Sequence, residues 1–172
     1  MQELKKKKQH DPGSRGLPSW YPKPPQDEDL LFFIQRNQNQ DAIVYQLNRK
    51  HDGLINEHLP MDAYWMRFSK GGRRTELNQI QSKLAYGYES EMISPDLFKF
   101  RFVAYKELDF YIVRTQGDHY EIHHQIGEQM VRLTNIYVYA LEFGVFPDVK
   151  YIELYGEQLG DQMPTYKKIT IE

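Results

Sequence analysis

The chain has 172 residues, 40% of them apolar and 27% charged, with a formal net charge of −2 and no cysteine. That length suffices for one domain with a substantial core, and the composition suits a folded protein, not a disordered one. Near-neutral charge removes any global field for nucleic acid or an anionic membrane, and the lack of cysteine removes disulfides, thiolate metal sites and cysteine nucleophiles.

Residues 1–29 hold five of the nine prolines, the lysine run Lys5–Lys8 and "QDED". They show little apolar periodicity and read as a flexible leader, with Trp20 and Tyr21 expected to pin it to the domain surface. The lysines read as a solvated tail more readily than as an electrostatic binding arm. No apolar run approaches the ~18 residues needed to span a bilayer, so no transmembrane segment is expected. If Met1 is an added start on a mature chain, export is favoured; otherwise the protein is expected to be cytoplasmic.

From residue 30 to residue 172 the chain reads as a single β domain. Apolar residues alternate in "LLFFIQRN" (30–37), "AIVYQLN" (42–48) and "DAYWMRFS" (62–69), the period of strands. "GG" at 71–72 is a turn. Thr75 followed by Leu77, Ile80 and Leu84, and then Gly87, predicts one short helix with Thr75 as its N-cap. Alternation resumes in "LFKFRFVAY" (97–105), where Phe98, Phe100 and Phe102 share a face, and in "DFYIVRT" (109–115). "QGDH" (116–119) and "IGEQ" (126–129) are hairpin turns on either side of "DHYEIHHQI" (118–126).

That last stretch holds three of the six histidines. His119, Glu121 and His123 fall on one face, and two histidines with a carboxylate form the facial triad of some iron enzymes. On a straight strand, however, His119 and His123 lie about 13 Å apart at ~3.3 Å per residue, too far to meet on one ion. The row therefore reads as a solvated strand face, and His124, among Tyr120, Ile122 and Ile126, as a hydrogen-bonded core histidine. No metal is expected. "QMVRLTNIYVYALEF" (129–143), "VKYIELYG" (149–156) and "TYKKITIE" (165–172) complete the strands, with "FPDV" (146–149) as a turn. Short turns imply antiparallel pairing, so the expected fold is mainly β: an antiparallel β-sandwich or partly closed β-barrel with one short helix.

The words "FFIQRN" (32–37), "YWMRF" (64–68), "IQSKLAYG" (80–87) and "YIELYG" (151–156), in that order, resemble a bacterial family known as domain of unknown function 4833. The resemblance spans roughly residues 30–156. It implies a single β domain, and export, since members of the family tend to be exported. It implies no activity and carries over no catalytic residue.

Function must then be read from the residues. The chain has no glycine-rich phosphate loop, no "HExxH", no "GxSxG" and no dinucleotide fingerprint, so no cofactor is expected and no catalytic residue is assigned. Thirteen tyrosines and nine phenylalanines suit either a large aromatic core or a non-enzymatic domain binding a small ligand or a partner protein. The alternative is an enzyme acting on carbohydrate or cell-envelope compounds. Glu153, sharing a face with Tyr151 and Tyr155, is its candidate acid–base residue, although an exposed strand glutamate is the simpler reading.

If strands 30–37, 42–48 and 62–69 form an antiparallel meander, Arg36 and Arg67 fall at one end of the sheet, about 10 Å apart across two ~4.8 Å spacings. Gln35, Asn37 and Ser69 would gather there, with Trp65 below Arg67. Arg36, Asn37, Trp65 and Arg67 are thus the expected ligand-binding residues, suited to an anion because arginine offers a fork of donors and stacks on rings. The plainer arrangement pairs Arg36 with Asp41 across the turn and lays Arg67 over apolar surface.

Overall fold

A computed structural model describes residues 17–143 and 146–171. The strands are β1 (Leu30–Arg36), β2 (Ala42–Leu47), β3 (Met61–Arg67), β4 (Arg73–Glu76), β5 (Tyr88–Ser94), β6 (Leu97–Phe102), β7 (Tyr105–Arg114), β8 (Tyr120–Ile126), β9 (Gln129–Phe143), β10 (Phe146–Gln158) and β11 (Pro164–Thr170). The protein is mainly β, as its period-two alternation demands. Among the described residues no helix is long and apolar enough to cross a membrane.

The strands form one sheet. β1–β4 make one antiparallel meander and β5–β8 another. Both hang from the long strand β9. Its first part, Gln129–Leu133, pairs with β8, and Asn135–Val138 pairs with β1, while β10 runs along the opposite edge from Val131 to Phe143. A strand has only two edges, so β1 and β8 share one of them end to end. The two meanders therefore diverge from a common line and face each other across the core. The result is a curled, partly open sheet and not two separate sheets.

Aromatic residues fill the space between the wings. Phe32 of β1 stacks on Tyr45 of β2 at 4.4 Å, and both meet Phe102 of β6 edge-on at 6.0 and 5.8 Å. Phe100 stacks on Phe110 at 5.2 Å. All five are buried, so Phe98, Phe100 and Phe102 face the core as their alternation requires. The Tyr45 hydroxyl donates to the Tyr86 carbonyl at 2.6 Å, and Tyr88 exchanges hydrogen bonds with the Met61 backbone. These contacts tie the wings together at the end near β3 and β5.

Several details depart from the sequence expectation. Residues 73–76 form an edge strand, and Thr75 pairs with Trp65 instead of capping a helix. The free edge of β3 takes up the backbone groups of this short polar stretch, so the helix starts later and shrinks to one wide π-type turn, Gln81–Ala85. β5, another edge strand, carries little apolar signal because most of it is exposed. "FPDV" is not a turn: Pro147 and Asp148 already pair within β10, and the connection before Phe146 lies outside the described residues. The β1–β9 pair is parallel, which the long path between these strands permits. "IGEQ" does turn as expected, with Gly127 at the positive φ of 60° that a primed two-residue turn asks of its first position.

Lys5–Lys8 lies outside the described residues. Within the leader's described part, the Tyr21 hydroxyl donates to the carbonyls of Arg36, at 3.3 Å, and Asn39. Trp20 is 69% exposed, so Tyr21 is the docking residue and Trp20 is not.

Candidate functional site

The β1–β2–β3 meander forms in the order the alternation implies, with Ile34 opposite Ile43 and Ile43 opposite Trp65. It brings two guanidiniums onto one indole. The Arg36 guanidinium carbon lies 4.7 Å from the Trp65 ring centre, and that of Arg67 lies 4.3 Å away. Such cation–π contacts contribute roughly 0.5–2 kcal/mol each, depending on desolvation.

Trp65 is nearly fully buried and held from behind. Its indole N–H donates to Gln81 Oε1 at 3.1 Å, and Tyr86 packs edge-on at 5.8 Å. Gln81 and Asn78 bond reciprocally. The Gln81 amide donates to Asn78 Oδ1 at 2.8 Å, and the Asn78 amide to Gln81 Oε1 at 3.1 Å, a capping box at the start of the helical turn. One glutamine thus fixes both the turn and the ring under the arginines. The sequence reading missed Gln81 because it placed the cap three residues too early.

The two arginines differ in their partners. Arg67 pairs with Asp41 at 3.3 Å, and Asp41 also accepts from the Ser69 amide at 3.1 Å and the Ser69 hydroxyl at 2.9 Å. Burial acts to raise the Asp41 carboxyl, but the Ser69 amide and hydroxyl and the Arg67 guanidinium outweigh it and hold it below the usual carboxylate range. Its stabilising contribution is therefore present above the ordinary value of 3.8 and lost as pH falls through the lowered one. Asp41→Asn is expected to cost about 2 kcal/mol at neutral pH, the scale of a hydrogen-bonded charge, as read by urea denaturation. An unchanged midpoint would show that Asp41 does not anchor this corner.

Arg36 does not pair with Asp41, contrary to the plainer arrangement. Its side chain donates to Gln38 Oε1 at 2.8 Å, and among the described residues it forms no ion pair. Arg36 Nε and Gln38 Nε2 are both shielded from water and have no acceptor among the described residues. Each such donor left unanswered costs roughly 1–3 kcal/mol. Of two cations over one ring, one is neutralised and one is not. Burial pushes the nearby Tyr21 phenol up to about 12, with Arg36 pulling the other way, so Tyr21 stays neutral and does not compensate.

Arg36 and Gln38 stand at the polar end of a cleft of about 370 Å³ between the wings. Its walls are otherwise almost wholly apolar: Ile34 from β1, Phe102 and Phe110 from β6 and β7, Ile136 and Val138 from β9, and Ile152 from β10. Ile80 and Leu84 of the helical turn also line it, yet remain 55% and 54% exposed. Their spacing of four residues was visible in the sequence. What they border was not.

The remaining candidates fall elsewhere. The Asn37 amide is engaged at both ends by the Ala140 backbone, at 3.0 Å each, and pins β1 to β9. Gln35 bonds Asn135 at 3.1 Å beside a separate cavity of about 160 Å³, away from the arginine corner. In β8 Tyr120, Ile122 and His124 are buried as predicted, but the other face is not the solvated row expected: Glu121 and His123 are half-buried, and His119 precedes the strand in the exposed turn. Glu121 lies 2.9 Å from His123 Nε2 and 3.7 Å from Arg132, and among the described residues no three metal-ligating side chains converge. His124 is a core residue; among the described residues neither ring nitrogen makes a well-formed hydrogen bond, although the Gln125 backbone lies close enough to favour its charged form. Glu153 is fully buried, not exposed, and accepts a hydrogen bond from the Tyr166 hydroxyl on the face it shares with Tyr151 and Tyr155.

No curated protein and no solved structure matches the chain. The family described as "Domain of unknown function (DUF4833)" matches residues 32–168, which include Arg36, Trp65, Gln81, Gly156 and every strand from β2 to β10. The match covers most of the chain, and the protein belongs to that family.

Proposed function

We propose that the domain is a non-enzymatic binder of a small ligand, held in the cleft between the two wings of the sheet. The carrying observation is the cleft itself. About 370 Å³ lined by aliphatic and aromatic side chains falls within the ~300–1,000 Å³ of ordinary small-molecule sites. A core elsewhere packed with stacked aromatics has no packing reason to leave such a gap, because interiors close to crystal-like density. Polar groups able to fix a ligand's orientation are few, Arg36 and Gln38 among them, as in ligand pockets generally.

The test is titration with the neutral fluorophore N-phenylnaphthylamine, which brightens in apolar surroundings. Saturable binding is expected in the wild type. Ala104→Trp should weaken it about tenfold or more, because Ala104 lines the cleft from an exposed turn and a large ring there fills space without disturbing the core. Val138→Phe narrows the cleft from the β9 side and should act in the same direction. Absence of saturable binding, or equal binding by both narrowed variants with unchanged melting temperatures, would refute the reading.

A further inference from the structure

The cleft has one charged end, and its charge is unanswered. Arg36 borders the cleft and Arg67 does not. Arg67 is neutralised by Asp41, which leaves Arg36 as the uncompensated cation over Trp65. Beside it lie two buried donors, Arg36 Nε and Gln38 Nε2, that find no acceptor among the described residues. An oxyanion supplies what all three lack: negative charge and lone pairs in the plane of a guanidinium fork. The apolar walls start directly from this point, with Ile34 two residues along the same strand and Val138 opposite.

We infer that the ligand is a single-chain amphiphile, a carboxylate on an unbranched hydrocarbon. Its head lies against Arg36 and Gln38 and its tail along the cleft floor formed by Ile136, Val138 and Ile152. This rests on the ligand-binding reading of the same cleft and names the chemistry of its occupant. One unpaired positive charge matches one carboxylate, whereas a phosphate brings about −1.5 to −2 and leaves an excess. The volume, near the lower end of the usual range, suits one chain and not two. Trp65 is the platform that holds Arg36 in place. Gln81 links that platform to the helical turn whose Ile80 and Leu84 overhang the cleft, so head recognition and tail cover share one support.

The chain has two tryptophans, and Trp20 is exposed. A Trp20→Phe background therefore leaves Trp65 as the sole indole reporter, directly under the arginines. In that background, decanoate below its micelle concentration is expected to change Trp65 emission saturably. Arg36→Met should bind decanoate about tenfold more weakly, the loss expected for one charge-assisted contact. Arg36→Lys should recover part of that loss. Decanol, followed by displacement of N-phenylnaphthylamine, should bind the wild type and Arg36→Met alike. If neither decanoate nor decanol binds, the ligand-binding reading fails and this inference with it. If both bind and Arg36→Met discriminates against neither, the cleft is a ligand site without head recognition, and this inference alone is overturned. Acetate binding as tightly as decanoate would show an anion site without a tail and overturn it too. So would response only to phosphatidylglycerol vesicles, which would place the surface on a membrane instead of around a free amphiphile.

Discussion

Replacing Gly156 by alanine is expected to cost about 3 kcal/mol of stability, the upper end of ordinary overpacking, because the new methyl has nowhere to go. A Cβ built there lies 1.9 Å from the Arg132 carbonyl oxygen and 3.2 Å from Thr165 Oγ1. The first of these is backbone, so it cannot rotate aside. The position matters because Gly156 sits at the junction of the whole sheet. Across from it, Gly156 pairs with Leu133 and Tyr155 with Asn135, so Thr134 drops out of the ladder as a bulge. On the other edge of β9 the partner changes at the same place, from β8 to β1. The bulge moves the core-facing set from Leu133 to Ile136, three residues on instead of two, and so lets one strand serve two wings. Urea denaturation of Gly156→Ala checks this. A midpoint indistinguishable from the wild type would mean that the strands re-register freely there and that the junction is not fixed.

Acid is expected to weaken the fold through His124 as pH falls from 6.5 towards 4. Its ring is fully buried, 5.7 Å from Phe110, and only the Gln125 backbone comes near enough to favour its charged form, too weakly to offset burial. Burial pushes the imidazole down from 6.5 to about 4, and the neighbouring Lys167 and His123 act in the same direction. Above pH 6.5 both folded and unfolded chains hold it neutral. As pH falls from 6.5 towards 4 the unfolded chain takes up a proton that the folded chain refuses, so stability drops by roughly 3 kcal/mol and the loss is complete near pH 4. The Asp41 contribution disappears only below that window, since its carboxyl is held under 3.8. His124→Leu should therefore match the wild type near pH 8 and exceed it in stability at pH 5. Parallel stability–pH curves for the two proteins across that range would rule His124 out as the cause.

Local pattern determined a good part of this molecule. Period-two alternation is a property of the chain itself, so Phe98–Phe100–Phe102 and Tyr120–Ile122–His124 declared their core faces before any partner strand was known. The β1–β2 hairpin was legible from its short connection, whereas the connection from 49 to 61 is long enough that β3 could have paired elsewhere in the sheet. Given the β1–β2–β3 meander, register placed Arg36 and Arg67 at one end of it, with Trp65 beneath. The four-residue spacing of Ile80 and Leu84 marked a helical turn, though not where it began.

What tertiary structure decided lies wherever one segment's fate depends on another's free edge. "RRTE" has no apolar signal and becomes β4 only because β3 offers unpaired backbone groups, and this in turn displaces the helix start from Thr75 to Asn78. The parallel β1–β9 pair, and with it the sharing of one β9 edge, depends on contacts between residues about a hundred positions apart, which no local periodicity encodes, and the burial of Glu153 depends on its neighbours in β9 and β11. The cleft is the clearest case. Its walls come from β1, the helical turn, the β6–β7 hairpin, β9 and β10, each with an ordinary apolar face. Only the divergence of two wings from one bulged strand leaves those faces apart. The charge at its end was likewise a tertiary outcome: two arginines were visible in the sequence, but which of them Asp41 would neutralise depended on the side of β2 from which each approached.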